Sequence, residues 1–248
     1  MKLASSTREQ RAQRMTVLDG EHLIESYVQA GGRPAILAIS ESAQQASSTH
    51  ALFESTQADE KWVLSDSLLR ALSPVDTPVG LVGVISIPGN SAVPGSGHSC
   101  LLLQGIQDPG NVGTMLRTAA AAGITEILLS PGCAFAWSPK VMRAGQGAHF
   151  GLNILEDADL LAAARAFRGK VLATLPTAKT SLYDIDLRGP VAWLLGGEGA
   201  GLSQELAACA TESVSIPMPG GTESLNVAAA LAVCLFEQVR QRTEQAGA

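Results

Sequence analysis

The 248-residue chain is poor in charged residues, in aromatic residues and in cysteine. Charged residues make up 16% of the sequence, against roughly 25% in an average soluble domain. Hydrophobic residues make up 46%, and this combination excludes an intrinsically disordered chain, which needs low hydrophobicity and high charge. The small charged fraction also indicates that some apolar surface is buried between subunits.

The cysteines give no sign of a metal site or of a disulfide framework. The four of them are Cys100, Cys133, Cys209 and Cys234. They lie far apart and form no C-x-x-C pair, so neither structural zinc nor disulfides are expected. We expect no metal cofactor, and the pattern fits a reducing cytoplasm.

Long hydrophobic runs are also missing. The longest, at 225–236, is interrupted by Asn226 and is shorter than the ~20 residues that a membrane span needs. The first 15 residues lack the apolar stretch of a secretory signal. We therefore expect a cytoplasmic protein that does not enter a membrane.

The chain divides at a segment rich in glycine, proline and serine. Residues 88–99 have no hydrophobic period and read as a linker. The linker separates a small α/β domain at 1–87 from a larger domain at 100–248. In the larger domain strands alternate with helices, which predicts a parallel sheet with helices on both faces.

Hydrophobic periodicity and capping residues predict the individual elements. In the first domain the strands are expected at 35–39, 62–64 and 79–87, and the helices at 21–29, 42–53 and 66–72 with Asp66 as N-cap. In the second domain the strands are expected at 101–103, 127–129, 152–155, 171–174, 191–195 and 214–216. Helices are expected at 112–122, 139–144, 158–167 and 225–242, with a short one capped by Ser203.

Three glycine-rich segments, 108–123, 194–203 and 216–226, follow predicted strands and lead into helices. None matches the P-loop or the G-x-G-x-x-G pattern, and no Ser-His-Asp set stands out. Ligands of open α/β sheets bind beyond the carboxyl ends of the strands, where glycine lets the backbone approach closely. The segments therefore predict a pocket built largely from backbone, suited to a nucleoside-like cofactor.

In this order the three segments resemble the SpoU (TrmH-like) family of RNA 2′-O-ribose methyltransferases, within the SPOUT superfamily. The first motif is Asn111-x-Gly-x-x-x-Arg117, and the second is the Leu-Gly-Gly-Glu-Gly-x-Gly run at 195–201. The third consists of Ile-Pro-Met at 216–218 and Ser-Leu-Asn-Val at 224–227. The match covers 101–240, and residues 1–87 resemble more loosely the small ribosomal-protein-like substrate-binding domain of many members.

The resemblance implies a second domain whose chain threads a deep trefoil knot and binds S-adenosylmethionine there. It implies a homodimer through this domain and methyl transfer to a ribose 2′-hydroxyl. Ribosomal RNA is favoured over transfer RNA because the N-terminal domain looks like a ribosomal protein. The alternatives are a tRNA 2′-O-methyltransferase, a base methyltransferase, and a non-catalytic RNA-binding factor of ribosome assembly with the same fold.

The resemblance also implies site residues. Those placed at the reacting ribose are Asn111, Arg117, Glu198, Ser224 and Asn226. Those placed at the cofactor are Leu175, Gly196, Gly197, Ile216 and Leu225. Each polar residue has a plainer interpretation as well: Asn111 as the cap of helix 112–122, Ser224 and Asn226 as caps of the last helix, and Glu198 as a solvated loop acid.

Arg117 is the residue that the family uses to activate the ribose hydroxyl. A guanidinium stays charged below pH ~12 and is a poor base. We therefore favour a role in binding the neighbouring phosphate and stabilising the developing alkoxide, and leave the role of general base open. Its other interpretation is an ordinary exposed helix residue.

One departure from the family pattern lies at 145–148, where members often carry Ser-x-Gly-Ala and this chain has Gly145. The departure puts details of substrate contact in doubt. The nearby His149 is expected to be structural rather than catalytic. The last helix carries two apolar stripes, which predict either a core helix or a subunit contact.

The formal net charge is −6, and each half of the chain, divided at Gly95, has three more acidic than basic residues. Composition therefore gives no support to nucleic-acid binding, and RNA binding must rely on local basic clusters. The candidates are Arg8, Arg11 and Arg14, together with Arg117, Lys140 and Arg143. The first three would share one side of a helix if that segment is helical, the alternative being a solvated tail.

Overall fold

The computed structural model describes residues 3–74, 77–89 and 97–246. They divide into two compact units. The first takes in the described residues of Met1–Gly89 and Phe135–Phe150, and the second those of Asn90–Ala134 and Gly151–Ala248. Residues 90–96 of the predicted linker lie outside the described residues. The domain boundaries at 87 and 100 stay a prediction, which did not anticipate that Phe135–Phe150 belongs with the first unit.

Strands and helices alternate along most of the described chain. The strands are β1 (Met15–Asp19), β2 (Ile36–Ser40), β3 (Glu60–Leu64), β4 (Leu81–Ser86), β5 (Cys100–Gln104), β6 (Glu126–Leu129), β7 (Asn153–Leu155), β8 (Lys170–Thr174), β9 (Thr180–Ser181), β10 (Val191–Gly196) and β11 (Glu212–Ser215). The helices are α1 (Thr7–Gln13), α2 (Glu21–Gln29), α3 (Ser47–Ser55), α4 (Asp66–Leu72), α5 (Pro109–Ala121), α6 (Pro139–Gly145), α7 (Leu160–Ala166), α8 (Gln204–Ala207) and α9 (Val227–Ala246).

The first unit contains a four-stranded mixed sheet in the order β1-β4-β2-β3. Strand β4 runs antiparallel to both of its neighbours, whereas β2 and β3 are parallel. Two sequence expectations are wrong here. The predicted helix 42–53 is split into a 3-10 turn at Ala43–Gln45 and α3. The N-cap of α4 is Ser65, whose hydroxyl accepts from the Leu68 amide, so Asp66 lies inside the helix.

The second unit contains a seven-stranded sheet in the order β7-β6-β5-β10-β8-β11-β9. Every pairing in it is parallel, which confirms the predicted parallel sheet. Residues 191–195 of the central strand β10 are all buried, as expected of a strand covered on both faces. Because parallel strands end at the same edge, the loops after β5, β8, β10 and β11 emerge side by side.

Helix α9 is a core helix of the second unit. Leu231, Cys234 and Leu235 are fully buried, and the helix packs on α5 and β10. The buried Gln238 accepts a hydrogen bond from the Trp193 indole at 3.0 Å. On another side Phe236 is 49% exposed. Two roles were predicted for this last helix. The structure shows the first, that of a core helix, and the second, a subunit contact, stays a prediction.

His149 is buried, and its Nε2 lies 2.9 Å from the Ala136 carbonyl oxygen. Burial lowers the pKa of this imidazole to about 4, which makes it a neutral core residue. None of the described helices is long and apolar enough to cross a membrane.

Candidate active site

The loops after β5 and β10 are tied together at the edge of the second unit's sheet. The Gln104 carbonyl accepts from the Gly197 amide at 2.9 Å. The Gln104 side chain accepts from the Ser203 amide at 2.8 Å and donates to its hydroxyl at 3.2 Å. The loop after β10 thus lies next to the start of α5, where the first motif begins.

A hydrogen-bonded network joins one residue from each of the three motifs. Asn226 Nδ2 donates to Glu198 Oε1 at 2.8 Å and to Asn111 Oδ1 at 3.0 Å. Asn111 Nδ2 donates to the same Glu198 oxygen at 3.0 Å. The structure therefore brings together three of the predicted site residues that are up to 115 positions apart in sequence. We call Asn111, Glu198 and Asn226 the amide–carboxylate network.

Asn226 also caps α9, which begins at Val227. Its Oδ1 accepts from the amides of Ala228 and Ala229 at 3.0 and 3.2 Å. Because Oδ1 is occupied by backbone donors, the amide nitrogen must face Asn111 and Glu198. Asn226 is therefore a helix cap and a member of the amide–carboxylate network at the same time.

Asn111 is not a helix cap. Helix α5 begins at Pro109, and its cap is Asp108, whose Oδ1 accepts from the Asn111 amide at 2.8 Å. Asn111 lies in the first turn, so its side chain is available to reach Glu198. The Asp-Pro pair is a typical helix start, and it could have placed this boundary correctly from the sequence.

A pocket opens beside the network, at the carboxyl ends of β8, β10 and β11. All five residues predicted for the cofactor line it, together with Glu198 and Ser224. The other lining residues were not predicted as site residues; they are Thr174, Pro176, Leu195, Gly201, Leu202, Met218, Val227 and Ala230. Most of these are apolar, and four of them, Leu195, Gly201, Met218 and Val227, stand within the quoted motifs. The wall is therefore mainly backbone and apolar side chains.

Two glycines are required by close packing in this wall. A Cβ on Gly196 would lie 2.1 Å from the carbonyl carbon of Gly201, and one on Gly197 would lie 2.4 Å from the Gly105 oxygen. The loop turns back on itself, since the Gly201 amide donates to the Gly197 oxygen at 2.8 Å. The glycines are thus required by the close packing of the backbone in this loop.

Arg117 lies apart from the pocket. It is exposed on α5 and is not among the pocket-lining residues. Asn111 and Asn226 do not line the pocket either. The ten predicted residues therefore fall into a pocket group and an amide–carboxylate network that share Glu198, with Arg117 separate from both.

The described residues contain no group of three or more His, Cys, Asp or Glu that could hold a metal ion. All four cysteines are free. Burial raises the pKa of Cys100 and Cys234 to about 12, so neither thiol is a nucleophile at neutral pH.

The chain is similar to known RNA methyltransferases. The model of the SpoU rRNA Methylase family matches residues 98–236. A 23S rRNA (guanosine-2′-O-)-methyltransferase, RlmB of Xylella fastidiosa, is 40% identical over 146 residues, which are 58% of this chain and 59% of that protein. The 23S rRNA (guanosine(2553)-2′-O)-methyltransferase RlmP of Bacillus subtilis is 29% identical over 93% of this chain and 91% of its own length.

Among solved structures, the SpoU methyltransferase AviRb from Streptomyces viridochromogenes in complex with AdoMet superposes with a TM-score of 0.87. It is 26% identical, and the match covers 97% of this chain and 95% of that one. The likeness thus extends over both units as well as over the three motifs.

Proposed function

The chain belongs to the SpoU rRNA methylase family, and we propose that it transfers a methyl group from S-adenosylmethionine to a ribose 2′-hydroxyl of ribosomal RNA. The observation that carries this proposal is the joining of all three motifs at one sheet edge, where the amide–carboxylate network borders the backbone-walled pocket. The names of the RlmB and RlmP relatives support a guanosine of 23S rRNA as the target.

The pocket is assigned to the cofactor. Leu175, Ile216 and Leu225 supply apolar surface for a purine, and Gly196 and Gly197 bring the backbone close enough to hold it. The bound cofactor supplies an electrophilic methyl group on a positively charged sulfur. The solved AviRb complex with AdoMet supports this cofactor.

The amide–carboxylate network is assigned to the ribose side of the site. Both amides point their nitrogens at Glu198 Oε1, which fixes the carboxylate against the loop after β10. Ser224, which lines the pocket, stands two residues before Asn226. We assign Ser224 to the ribose as well, and Glu198 to orienting the groups around it.

Arg117 is assigned to the RNA. Its exposed side chain is suited to a bidentate contact with a phosphate, and the same charge stabilises the alkoxide that forms as the ribose hydroxyl loses its proton. A guanidinium is a poor base, so we assign the proton to solvent or to a group of the RNA. The position of Arg117 outside the pocket fits a site that a second copy of the chain completes.

The homodimer, the trefoil knot and the cytoplasmic location are part of the same proposal. The exposed Phe236 on α9 and the small charged fraction support a dimer through the second unit. Light scattering tests this: a dimer is expected at micromolar concentration, and a monomer would contradict it. The knot is supported by the family alone.

The reaction is tested by incubating the protein with S-adenosylmethionine and an unmodified 23S rRNA transcript, followed by nuclease digestion and nucleoside mass spectrometry. We expect a 2′-O-methylnucleoside. A base-methylated nucleoside would replace the proposal with base methylation. Cofactor binding without any methyl transfer to ribosomal or transfer RNA would favour a non-catalytic assembly factor.

A further inference from the structure

Gln104 is the last residue of β5, at the sheet edge from which the loops of the candidate site emerge. It ends a central strand, because β5 pairs with β6 on one side and with β10 on the other. The chain that follows is held from the β6 side as well, since the Gly105 amide donates to the Ser130 hydroxyl at 3.1 Å. Gln104 is therefore held in place by both neighbouring strands.

Both ends of the loop after β10 are attached to this one residue. At the start of the loop, the Gly197 amide donates to the Gln104 carbonyl oxygen at 2.9 Å. At its end, the Gln104 side chain accepts from the Ser203 amide at 2.8 Å and donates to the Ser203 hydroxyl at 3.2 Å. Between the two ends, the Gly201 amide donates back to the Gly197 oxygen. We call residues 197–203 the glutamate loop, because they include Glu198.

The glutamate loop takes part in both halves of the candidate site. Its Glu198 carboxylate accepts hydrogen bonds from Asn111 and Asn226. Gln104 is neither a pocket-lining residue nor a member of the amide–carboxylate network. Its side chain therefore reaches the site through the glutamate loop. Four residues of the loop line the pocket, namely Gly197, Glu198, Gly201 and Leu202.

The composition of the glutamate loop explains why it needs an anchor. Three of its seven residues are glycine, and glycine loses more conformational freedom on ordering than any other residue. Residues 198–201 are exposed, and a Cβ on Gly199 would meet no atom within 4 Å. Since little packing holds the middle of the loop, the hydrogen bonds at its two ends must define its position.

We propose that Gln104 is a positioning residue for the methyl transfer, which holds the glutamate loop so that its backbone forms the pocket wall and Glu198 meets both amides. The proposal rests on the proposed function and gives a role to a side chain outside the three motifs. A side-chain amide suits this position, because its oxygen takes the Ser203 amide while its nitrogen reaches the hydroxyl.

The test compares point variants of the full-length chain. Gln104→Met keeps the length of the side chain but removes both bonds to Ser203. Gln104→Glu is the conservative variant, because a carboxylate accepts from the Ser203 amide and from its hydroxyl. Gln107→Met is the matched control, since Gln107 is an exposed glutamine of the same segment. Gln104→Asn, whose amide is one methylene too short to reach Ser203, gives a second and milder way to break the same contacts.

Hydrogen exchange followed by mass spectrometry measures the glutamate loop directly. In Gln104→Met and Gln104→Asn we expect its amides to exchange at least about threefold faster, since a segment with fewer hydrogen bonds opens more often. Calorimetry should show S-adenosylmethionine bound about 5- to 20-fold more weakly, because two hydrogen bonds that hold the pocket wall are lost. Single-turnover methyl transfer to a 23S rRNA transcript at saturating cofactor should fall by a similar factor.

The melting temperature should fall by less than about 4 °C in these variants. Gln104→Glu and Gln107→Met should stay within about twofold of the wild type in loop exchange, cofactor affinity and rate. The conservative variant thus separates loss of the two bonds from loss of the residue as such.

Wild-type loop exchange and cofactor affinity in Gln104→Met and Gln104→Asn would overturn the proposal while the wild type still methylates ribose. An equal loss in Gln107→Met, or in Gln104→Glu, would also overturn it, because the bonds to Ser203 would then not be the cause. A lower melting temperature with unchanged affinity and rate would leave Gln104 with a role in stability alone. Failure of the wild type to bind S-adenosylmethionine or to methylate ribose would overturn the proposed function instead.

Discussion

The candidate site at one sheet edge of the second unit has two halves, the pocket and the amide–carboxylate network, and they differ in composition. The pocket is lined mainly by backbone and apolar side chains, and two of its glycines cannot carry a Cβ. The amide–carboxylate network beside it consists of polar side chains from three motifs, of which Glu198 and Asn226 are exposed and Asn111 is half-buried. The contrast agrees with the proposed division of work, in which the pocket is assigned to the cofactor and the network with Arg117 to the RNA ribose.

The largest effect is expected at Arg117. Arg117→Ala removes the proposed phosphate contact and alkoxide stabilisation, so single-turnover methyl transfer should fall by roughly 10²–10³-fold, as when an oxyanion donor is removed. Affinity for S-adenosylmethionine should stay within about twofold. Arg117→Lys should also fail because a point charge does not reproduce the guanidinium fork. If cofactor affinity fell as far as the rate, the division of work would be wrong.

Gly196→Ala should have the next largest effect, and it should act on the pocket. The added Cβ would meet the carbonyl carbon of Gly201 at 2.1 Å, and overpacking of this kind costs about 1–3 kcal/mol. Calorimetry should show affinity for S-adenosylmethionine weakened by about 5- to 150-fold. Gly199→Ala, where a Cβ meets no atom within 4 Å, is the control. An unchanged affinity in Gly196→Ala would show that the glycine wall does not hold the cofactor.

Asn226→Asp separates the cap from the network. The carboxylate keeps an acceptor for the Ala228 and Ala229 amides but loses the two bonds to Asn111 and Glu198. The carboxylate introduced at position 226 then lies next to the carboxylate of Glu198, and the two like charges repel each other. The melting temperature should change little, while the methylation rate falls about tenfold, near the cost of about 1.4 kcal/mol. A rate equal to that of the wild type would leave Asn226 with a capping role alone.

His149 gives a reference outside both halves, because it is a buried residue of the first unit. Its pKa is about 4 in the folded chain and ordinarily about 6.5, so the unfolded chain binds more protons between these values. Stability should therefore be fully present above pH about 6.5 and fall as the pH approaches 4, by at most about 1.4 kcal/mol per pH unit. His149→Phe should flatten this part of a pH series of urea unfolding curves. The same slope in the variant would contradict the assignment.

The parallel sheet and the place of the site were open to prediction from sequence. Helices α2 and α4 have the predicted bounds, because hydrophobic period and flanking glycine or serine define both ends. The five pocket residues lie together because motifs after parallel strands meet at one edge. These patterns are local in sequence, so they can be recognised without knowing which distant element packs against them.

Other features depend on tertiary packing and were not predictable. The sequence of Phe135–Phe150 does not show that this segment packs with the first unit. The residues of an amphipathic helix such as α6 do not identify the element against which its apolar face packs. The antiparallel direction of β4 is likewise absent from its sequence, because hydrophobic alternation is the same in both directions. The link from Asn111 to Glu198 joins residues 87 positions apart, and only the assembled sheet edge brings them together.

The most direct test of the division of work is a crystal structure of the protein with S-adenosylhomocysteine. We expect electron density for the adenosine between Leu175, Ile216 and Leu225, against the backbone of Gly196 and Gly197. We also expect the hydrogen bonds of Asn226 and Asn111 to Glu198 to be kept. Density for the adenosine at the amide–carboxylate network, or anywhere outside the pocket, would contradict it.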